Sequence, residues 1–252
     1  EDFADLIAGF LNAQGVARVQ LMGVSYGSAM ATLFAAAYPN MIERLLISGI
    51  TCFRRESLIT LLEDSVGLLE SGDMNAFATT AVCNLINHNR LEETAVGPTY
   101  RRLLFRQIAR LDDNERQRYA QNTRRLLRFG GFKSFPTCET LIATGEYDNF
   151  TLPQENAAVA RQCVNGTFAV IRNADHLAQF EQKESSMELV HRFMRGDNLK
   201  GIDGIEIYDP QAYDHGNQRL QGRHRPLEQP YRLIDRSTGK EHVVRIQNIN
   251  FS

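Results

Sequence analysis

The pentapeptide Gly23-Val24-Ser25-Tyr26-Gly27 constrains the fold of this chain more than any other stretch. A serine framed by glycines in this way is typical of a tight turn between a strand and a helix. The apolar residues 19–22 precede it and predict a strand buried on both faces. Residues 28–38 are rich in Ala, Leu and Phe and end at Pro39, which predicts a helix. We therefore interpret Ser25 as a nucleophile, and a serine that only caps the helix is the alternative.

The chemistry of such a serine explains its neighbours. A hydroxyl that attacks a carbonyl must be lifted clear of the backbone, so we expect Gly23 and Gly27 to be small because the turn leaves no room for side chains. The helix that follows points its N-terminus at the reaction centre. Its dipole and the Tyr26 N–H are predicted to stabilise an oxyanion.

Composition excludes several classes of protein. The chain has 252 residues, 43% of them hydrophobic and 23% charged, with a net charge of -2, which is typical of a globular protein and gives no indication of nucleic-acid binding. No apolar run approaches the roughly 20 residues that cross a bilayer. The four cysteines lack C-x-x-C spacing, so we expect half-buried reduced thiols, no metal site and a cytoplasmic location. They are Cys52, Cys83, Cys138 and Cys163.

Strand and helix patterns alternate around one long exception. Residues 44–48, 140–144 and 167–171 read as further buried strands, with predicted helices over residues 153–162 and 181–195. Such alternation favours an α/β fold, a parallel sheet with helices on both faces. The exception is the region from Glu56 to Gly130, which lacks strand signals and is predicted to be a helical insertion. The chain opens in a predicted helix that Gly15 closes, and its apolar residues follow the spacing of a helical stripe: Phe3, Leu6, Ile7, Phe10 and Leu11.

The partners that a serine nucleophile needs follow the later strands. His176 lies just after the last predicted strand and is the candidate base, since the other five histidines follow no core strand. Asp148 lies just after the preceding strand and is the candidate acid that orients the histidine. Glu146 and Asp175 are the alternative acids, with surface or capping roles expected for whichever are not used.

The order Ser25, Asp148, His176 resembles that of the α/β-hydrolase superfamily. The resemblance covers Glu1 to about Arg195 and rests on GVSYG, TGEYD and NADH. It implies that the insertion over residues 56–130 is a cap that shapes an acyl or alkyl pocket. The chain is also similar to the 3-hydroxyacyl-ACP acyltransferases of the rhamnolipid-precursor synthase type. This likeness rests on GVSYGS, TGEYDNFT, NADHLAQFE and part of the cap. That likeness implies an acyl substrate, an acyl carrier protein as partner and a bacterial source.

The chain departs from the superfamily pattern at its start. Several strands normally precede the nucleophile strand, and one of their loops supplies the second oxyanion donor, whereas this chain begins at the helix before that strand. We expect the strand at residues 19–22 to be left as an open apolar edge. An N-terminal sheet half or another chain is therefore expected to lie against it, unless another segment of this chain completes the sheet.

The cap carries an excess of positive charge. Nine arginines stand against three acidic residues between Arg101 and Arg128, a balance of +6. A solvated helix face is one interpretation. Docking of an anionic partner, such as a carrier protein or a phosphate-bearing thioester, is the other.

The C-terminal part differs in composition. We divide the chain into a core (residues 1–196), a linker or opening strand (197–218) and a β extension (219–252), in which residues 231–234 and 243–246 predict a hairpin. Arg219 and Arg223 form an R-x-x-x-R motif that resembles the start of a PilZ domain. The resemblance implies cyclic di-GMP as a regulatory ligand, since paired guanidinium groups bind phosphate and stack on guanine.

Two functions follow from these residues. One is a serine hydrolase or acyltransferase that needs no cofactor and is regulated by cyclic di-GMP. The other is a non-catalytic sensor or scaffold on a hydrolase-like fold.

Overall fold

A computed structural model describes residues 2–51, 55–213, 231–234 and 241–244. The chain divides into two compact units, Glu1–Asp214 and His215–Ser252. The first unit contains a five-stranded sheet in the order β1-β2-β3-β4-β5. Its strands are β1 (Val19–Val24), β2 (Ile42–Ser48), β3 (Glu139–Gly145), β4 (Asn165–Ile171) and β5 (Ile205–Tyr208).

The helices of the first unit lie where the apolar periodicity predicts them, with small differences at their ends. The closing helix is preceded by a short separate one, and the last part of the helical insertion, for which the sequence allows one helix or a bent pair, forms two helices. The helices are α1 (Asp2–Ala13), α2 (Tyr26–Ala37), α3 (Glu56–Ser71), α4 (Met74–Leu85), α5 (Pro98–Ala109), α6 (Asp113–Arg128), α7 (Pro153–Gln162), α8 (Ala178–Glu181) and α9 (Lys183–Arg195).

The sheet is mostly parallel. Strands β1 to β4 pair in parallel, and β5 pairs with β4 in the antiparallel sense, with Ile205 opposite Ile171. The segment over residues 197–218, interpreted above as a linker or an opening strand, thus contributes β5 to the core sheet. A short strand that alternates Ile with polar residues is weak as a sequence signal, and its pairing with β4 is what fixes it.

Both faces of the sheet are covered by helices. Leu45, Ile47 and Phe168 are buried on one face with residues of α1, α2 and α7. Leu46 and Leu141 are buried on the other face with residues of α9. Neighbouring residues of a strand point to opposite faces, so strands apolar at every position fit a sheet with helices on both sides.

The cap has its own core. Helices α3 to α6 bury a third apolar cluster that includes Leu69, Phe77 and Ile86. Two of these helices begin at aspartate caps: Asp73 accepts a hydrogen bond from the Ala76 N–H, and Asp112 forms a capping box with Glu115. The cap is therefore a packed helical body, as predicted.

The apolar stripe predicted for α1 is only partly buried. Ala4 and Ala8 are buried, whereas Leu6 and Phe10 are 70% and 65% exposed. Small side chains let α1 pack closely on the core through its alanine face. An apolar surface is thus left on the outer side of α1.

Strand β1 lies at the edge of the sheet. Among the described residues its only strand partner is β2, and Met22 is 40% exposed. Residues 19–22 are half-buried or exposed, so the expectation of a strand buried on both faces was wrong. Strand β5 extends the opposite edge, so no described segment of this chain completes the sheet beside β1.

Two smaller findings concern the whole described chain. Cys83 is exposed and Cys163 is buried, which differs from the expectation of uniformly half-buried thiols. Within the described residues, no helix combines the length and the apolar composition that crossing a bilayer requires.

In the second unit the structure describes two strands. Strands β6 (Tyr231–Ile234) and β7 (Glu241–Val244) form an antiparallel pair, with Tyr231 opposite Val244. A hairpin was predicted here, with its second strand two residues further along the chain.

Candidate active site

Ser25 occupies a strained turn between β1 and α2. Its backbone dihedrals are φ 51° and ψ -119°, a region that residues other than glycine seldom adopt, and its N–H donates to the Ser48 carbonyl oxygen at 2.8 Å. A Cβ at Gly23 would lie 2.7 Å from the Gly27 carbonyl oxygen, so this position must be glycine. A Cβ at Gly27 would meet nothing within 4 Å, so the expectation that space requires both glycines was wrong for Gly27.

His176 lies in the loop after β4 and faces Ser25. Its Nε2 is 3.0 Å from the Ser25 Oγ, and its side chain is almost completely buried. The ring of Phe150 packs edge-on against the imidazole with the two centroids 5.0 Å apart. This packing holds the ring in the plane that the contact with Ser25 requires.

Asp148 contacts the other side of the imidazole. Its Oδ2 is 2.9 Å from His176 Nδ1 and accepts a hydrogen bond from the Thr151 hydroxyl at 2.7 Å. Its Oδ1 accepts from the backbone N–H groups of Phe150 at 2.9 Å and Thr151 at 2.8 Å. Asp148 is 1% exposed, and both of its carboxylate oxygens have hydrogen-bond partners. The loop after β3 therefore presents Asp148 in a single orientation to the histidine.

The two alternative acids have other contacts. Glu146 accepts from the Asn173 N–H at 3.1 Å and forms a salt bridge with Arg172 at 3.0 Å. Asp175 accepts from the backbone N–H of His176 at 2.8 Å. Asp175 is fully buried, so of the two roles expected for it, surface or capping, only the second fits its contact with the backbone. Burial above all raises the pKa of its carboxyl to about 8, with the nearby charges of Asp148 and Glu181 acting in the same direction.

Gly145 lets the acid loop and the histidine loop approach each other. A Cβ at this position would lie 2.1 Å from the Asp175 carbonyl oxygen and 2.5 Å from that of Ala174. The glycine was quoted above only as part of the TGEYD motif. A glycine at the carboxyl end of a buried strand is the signal that could have indicated its role.

Thr151 was also missed. Its N–H and hydroxyl both donate to Asp148, and its hydroxyl oxygen lies 3.4 Å from His176 Nδ1. Its position three residues after an aspartate, just before a helix, was the available signal.

A cavity of about 310 Å³ opens above Ser25 and His176. The cap supplies most of its walls, and the apolar part is lined by Leu61, Leu62, Phe77, Ala81, Leu85 and Leu126. Asn84, Asn122 and Gln179 add polar groups to the same lining. The volume falls in the range of about 300–1,000 Å³ found for small-molecule sites.

The remaining predicted residues are placed as follows. Tyr26 is the first residue of α2, where backbone N–H groups have no acceptor within the helix, and it lines the cavity beside Ser25. Arg219 and Arg223 lie outside the described residues. Among the residues that are described, no three His, Cys, Asp or Glu side chains cluster closely enough to hold a metal ion.

Comparison with known proteins gives two relatives and many structural neighbours. The chain is 25% identical over 202 residues to (R)-3-hydroxydecanoyl-ACP:CoA transacylase of Pseudomonas aeruginosa, which covers 76% of this chain and 63% of that protein. It is 24% identical over 196 residues to 2-hydroxy-6-oxononadienedioate/2-hydroxy-6-oxononatrienedioate hydrolase 2 of Pseudomonas putida, covering 76% of this chain and 68% of the relative. The chain thus spans about two thirds of the length of these relatives. No family model matches it.

The structural neighbours establish the fold. MGS-M2, an alpha/beta hydrolase enzyme from a Medee basin deep-sea metagenome library, superimposes with a TM-score of 0.63 at 21% identity, covering 78% of this chain and 72% of the neighbour. A thermophilic esterase from Thermogutta terrifontis gives 0.62 at 20% identity, with 77% and 71% covered. The chain therefore has the α/β-hydrolase fold, and its relatives are enzymes, among them hydrolases and a transacylase.

Proposed function

We propose that this protein is a serine hydrolase or acyltransferase that acts on an ester or thioester through an acyl-enzyme at Ser25. The observation that carries the proposal is the continuous row from Ser25 Oγ through the His176 ring to the Asp148 carboxylate, at 3.0 and 2.9 Å, beneath an apolar cavity. A buried histidine between a hydroxyl and a carboxylate is the arrangement that activates a weak nucleophile.

Each group has a role in the proposed reaction. His176 Nε2 takes the proton from Ser25 as the oxygen attacks the carbonyl carbon, and Asp148 holds Nδ1 protonated and stabilises the imidazolium. The Tyr26 N–H donates to the oxyanion of the tetrahedral intermediate. The intermediate collapses, the leaving group takes the proton from His176, and Ser25 keeps the acyl group. Water, an alcohol or a thiol then attacks the acyl-enzyme and gives its proton to His176. The second intermediate collapses by breaking the bond to Ser25 Oγ, which takes the proton back from His176.

The cavity favours an acyl chain as the group that Ser25 carries. Its apolar cap lining offers burial to methylene groups, worth about 0.8 kcal/mol for each one removed from water. Asn84, Asn122 and Gln179 provide hydrogen-bonding groups within the same walls, which suits a chain that carries a hydroxyl. The transacylase relative is named for a 3-hydroxyacyl substrate, which supports the same choice.

Labelling with a fluorophosphonate tests the proposal. The probe should add to wild-type protein at Ser25, as read by intact mass and peptide mapping, and Ser25→Ala should abolish the adduct and the hydrolysis of p-nitrophenyl esters. Ser71→Ala changes a serine at the end of α3, outside the cavity lining, and serves as the matched control. A folded wild-type protein that takes no label at Ser25 rules out the proposed mechanism.

We propose an acidic acyl carrier protein as the acyl donor. Arg101, Arg102 and Arg106 of α5 line a cleft of about 430 Å³ on the cap together with the apolar Val82 and Phe105. In the described part of the chain no salt bridge engages these three arginines, whereas the cap residues Arg90, Arg116 and Arg124 each pair with a carboxylate. Cationic groups around an apolar floor are complementary to an acidic amphipathic partner. Val82 lies on α4, the helix whose residues Ala81 and Leu85 line the acyl cavity.

For the C-terminal segment we propose regulation by cyclic di-GMP. The support is the R-x-x-x-R spacing of Arg219 and Arg223, followed by the antiparallel pair β6–β7. Calorimetric titration of the protein with the dinucleotide should give binding that Arg219→Ala and Arg223→Ala each weaken. Absence of heat with the wild-type protein, or unchanged binding in both variants, contradicts this proposal.

A further inference from the structure

Asp175 connects the histidine loop to the cap. One carboxylate oxygen, Oδ1, accepts from the backbone N–H of His176 at 2.8 Å, and the other, Oδ2, accepts from the backbone N–H of Asn87. Asn87 belongs to the cap segment that follows α4, and both residues are buried. A buried carboxylate with two N–H donors from separate parts of the chain holds those parts at a fixed separation.

Asn87 also contacts the acid loop. Its side-chain Nδ2 donates to the Tyr147 carbonyl oxygen at 3.0 Å, and the Tyr147 N–H in turn donates to the Ala174 carbonyl oxygen at 2.9 Å. These bonds form a closed ring that includes the cap, the loop of Asp148 and the loop of His176. A closed ring is stiffer than three separate contacts, because no loop can move without breaking a bond to each of the others.

The ring is anchored next to the wall of the cavity. Helix α4 contributes Phe77, Ala81 and Leu85 to the lining, and Asn87 follows Leu85 by two residues. The position of this wall and the position of the imidazole are therefore set by the same carboxylate.

We propose that Asp175 is a positioning residue that fixes the catalytic histidine relative to the cap wall, a role that rests on the proposed function of Ser25. It touches neither the Ser25 hydroxyl nor the imidazole ring in the contacts that the structure describes. Its effect on catalysis runs through the backbone of His176 and of Asn87.

The buried environment of Asp175 is consistent with a positioning role. Burying the charged form of a carboxyl is costly, which is why burial raises the pKa of Asp175 to about 8. The neutral form favoured below that pH keeps acceptor capacity on both oxygens, so both N–H contacts remain possible. Glu181, whose Oε2 accepts from the Asp175 N–H at 2.9 Å, likewise has a pKa raised to about 7 by burial. A carboxyl that only capped the backbone could do so at the surface without this cost.

The test is Asp175→Asn, which keeps the shape of the side chain. One of its two acceptor oxygens becomes an amide NH₂, so one of the two N–H donors loses its acceptor. We expect kcat on p-nitrophenyl octanoate to fall about tenfold while KM stays within about threefold, because the lost contact orients the base and does not bind the ester. Asp73→Asn, at the other end of α4, keeps a capping residue there and should leave both constants unchanged.

A second pair of variants isolates the Asn87 N–H. The backbone at Asn87 has φ -73°, and Ile86 before it is extended, so proline fits the chain and removes the N–H. Asn87→Ala keeps the N–H and removes the side chain. We expect Asn87→Pro to lower kcat more than Asn87→Ala, and its effect should not add to that of Asp175→Asn.

Hydrogen exchange separates this proposal from the proposed function. The Asn87 amide should exchange slowly in the wild type and at least tenfold faster in Asp175→Asn, whether or not Ser25 takes a fluorophosphonate label. An unlabelled wild type overturns the function alone. A kcat within twofold of wild type in Asp175→Asn, a raised KM with kcat unchanged, or an Asn87 amide that exchanges equally fast in both proteins overturns the positioning role.

Discussion

Replacing Asp148 by asparagine should disable the enzyme through the protonation of His176, without loss of the fold. In the native site Oδ1 accepts from two backbone N–H groups, those of Phe150 and Thr151, at 2.9 and 2.8 Å. An asparagine must keep its oxygen there, since turning its NH₂ towards two N–H donors would leave both of them unpaired, at about 1–3 kcal/mol each. The NH₂ group then faces His176 Nδ1.

That orientation selects the wrong tautomer. An amide donor beside Nδ1 makes that nitrogen an acceptor, so the proton moves to Nε2, which can no longer take the proton of Ser25. The expected loss in kcat is roughly 10⁴-fold, or about 5.4 kcal/mol of transition-state stabilisation at about 1.36 kcal/mol per factor of ten. Thermal stability should change by much less, because the variant loses only the charge and the hydrogen bonds that Oδ2 accepts from the Thr151 and Thr144 hydroxyls, while the contact with His176 reverses its direction.

The assay is steady-state hydrolysis of p-nitrophenyl esters, with near-UV circular dichroism to verify the fold. Glu146→Gln is the matched control, since its amide oxygen can still accept from the Asn173 N–H, and it should retain activity within about threefold. If Asp148→Asn keeps more than a tenth of wild-type kcat, or if Glu146→Gln is the variant that loses activity, the assignment of the acid is wrong.

Three further predictions follow. Gly145→Ala should lower the free energy of unfolding by about 3 kcal/mol in chemical denaturation, because its Cβ would lie 2.1 Å from the Asp175 carbonyl oxygen. An unchanged denaturation midpoint would contradict the close approach of the two loops at Gly145. Arg106→Glu should raise KM for a carrier-bound thioester about tenfold at low salt and leave KM for a small soluble thioester unchanged. Arg118→Glu, outside the cleft, should change neither KM. Equal effects of the two variants would mean that net charge, and not the cleft, binds the carrier. The pKa of Glu181 is raised to about 7 from 4.5, so its contribution to stability is complete below about pH 4.5 and is lost as pH rises through 7; Glu181→Gln should flatten that fall in Tm, and a Tm that rises from pH 5 to 8 contradicts the sign.

Local patterns were enough to predict the strand, turn and helix around Ser25. The apolar run, the glycine before the serine and the alanine-rich helix are all properties of adjacent residues, and the structure has β1 and α2 at these positions. The burial of β1 on both faces was a wrong expectation, because it depends on what lies beside the strand. The positions of Asp148 and His176 after β3 and β4 followed from the rule that parallel strands present their carboxyl ends at one edge. The prediction that they approach Ser25 rested on that topology alone.

Contacts between distant parts of the chain escaped the sequence analysis. The burial of Asp175 depends on Asn87, a residue of the cap that no local pattern connects to the histidine loop. The exposure of Leu6 and Phe10 depends on how closely α1 approaches the core, which periodicity does not report. The fifth strand is fixed by pairing with β4, and its four residues carry too little pattern to predict it.

Strand β1 leads directly to Ser25, and its edge position also leaves it open to pairing with another strand. In the described part of the chain its outward N–H and C=O groups are a template on which an extended peptide can assemble, from an N-terminal extension or from another molecule. A peptide running parallel to β1 would bring its carboxyl end beside Ser25, where it could supply a second N–H to the oxyanion. Occupancy of this edge would then decide both whether copies of the protein associate and how well its serine reacts.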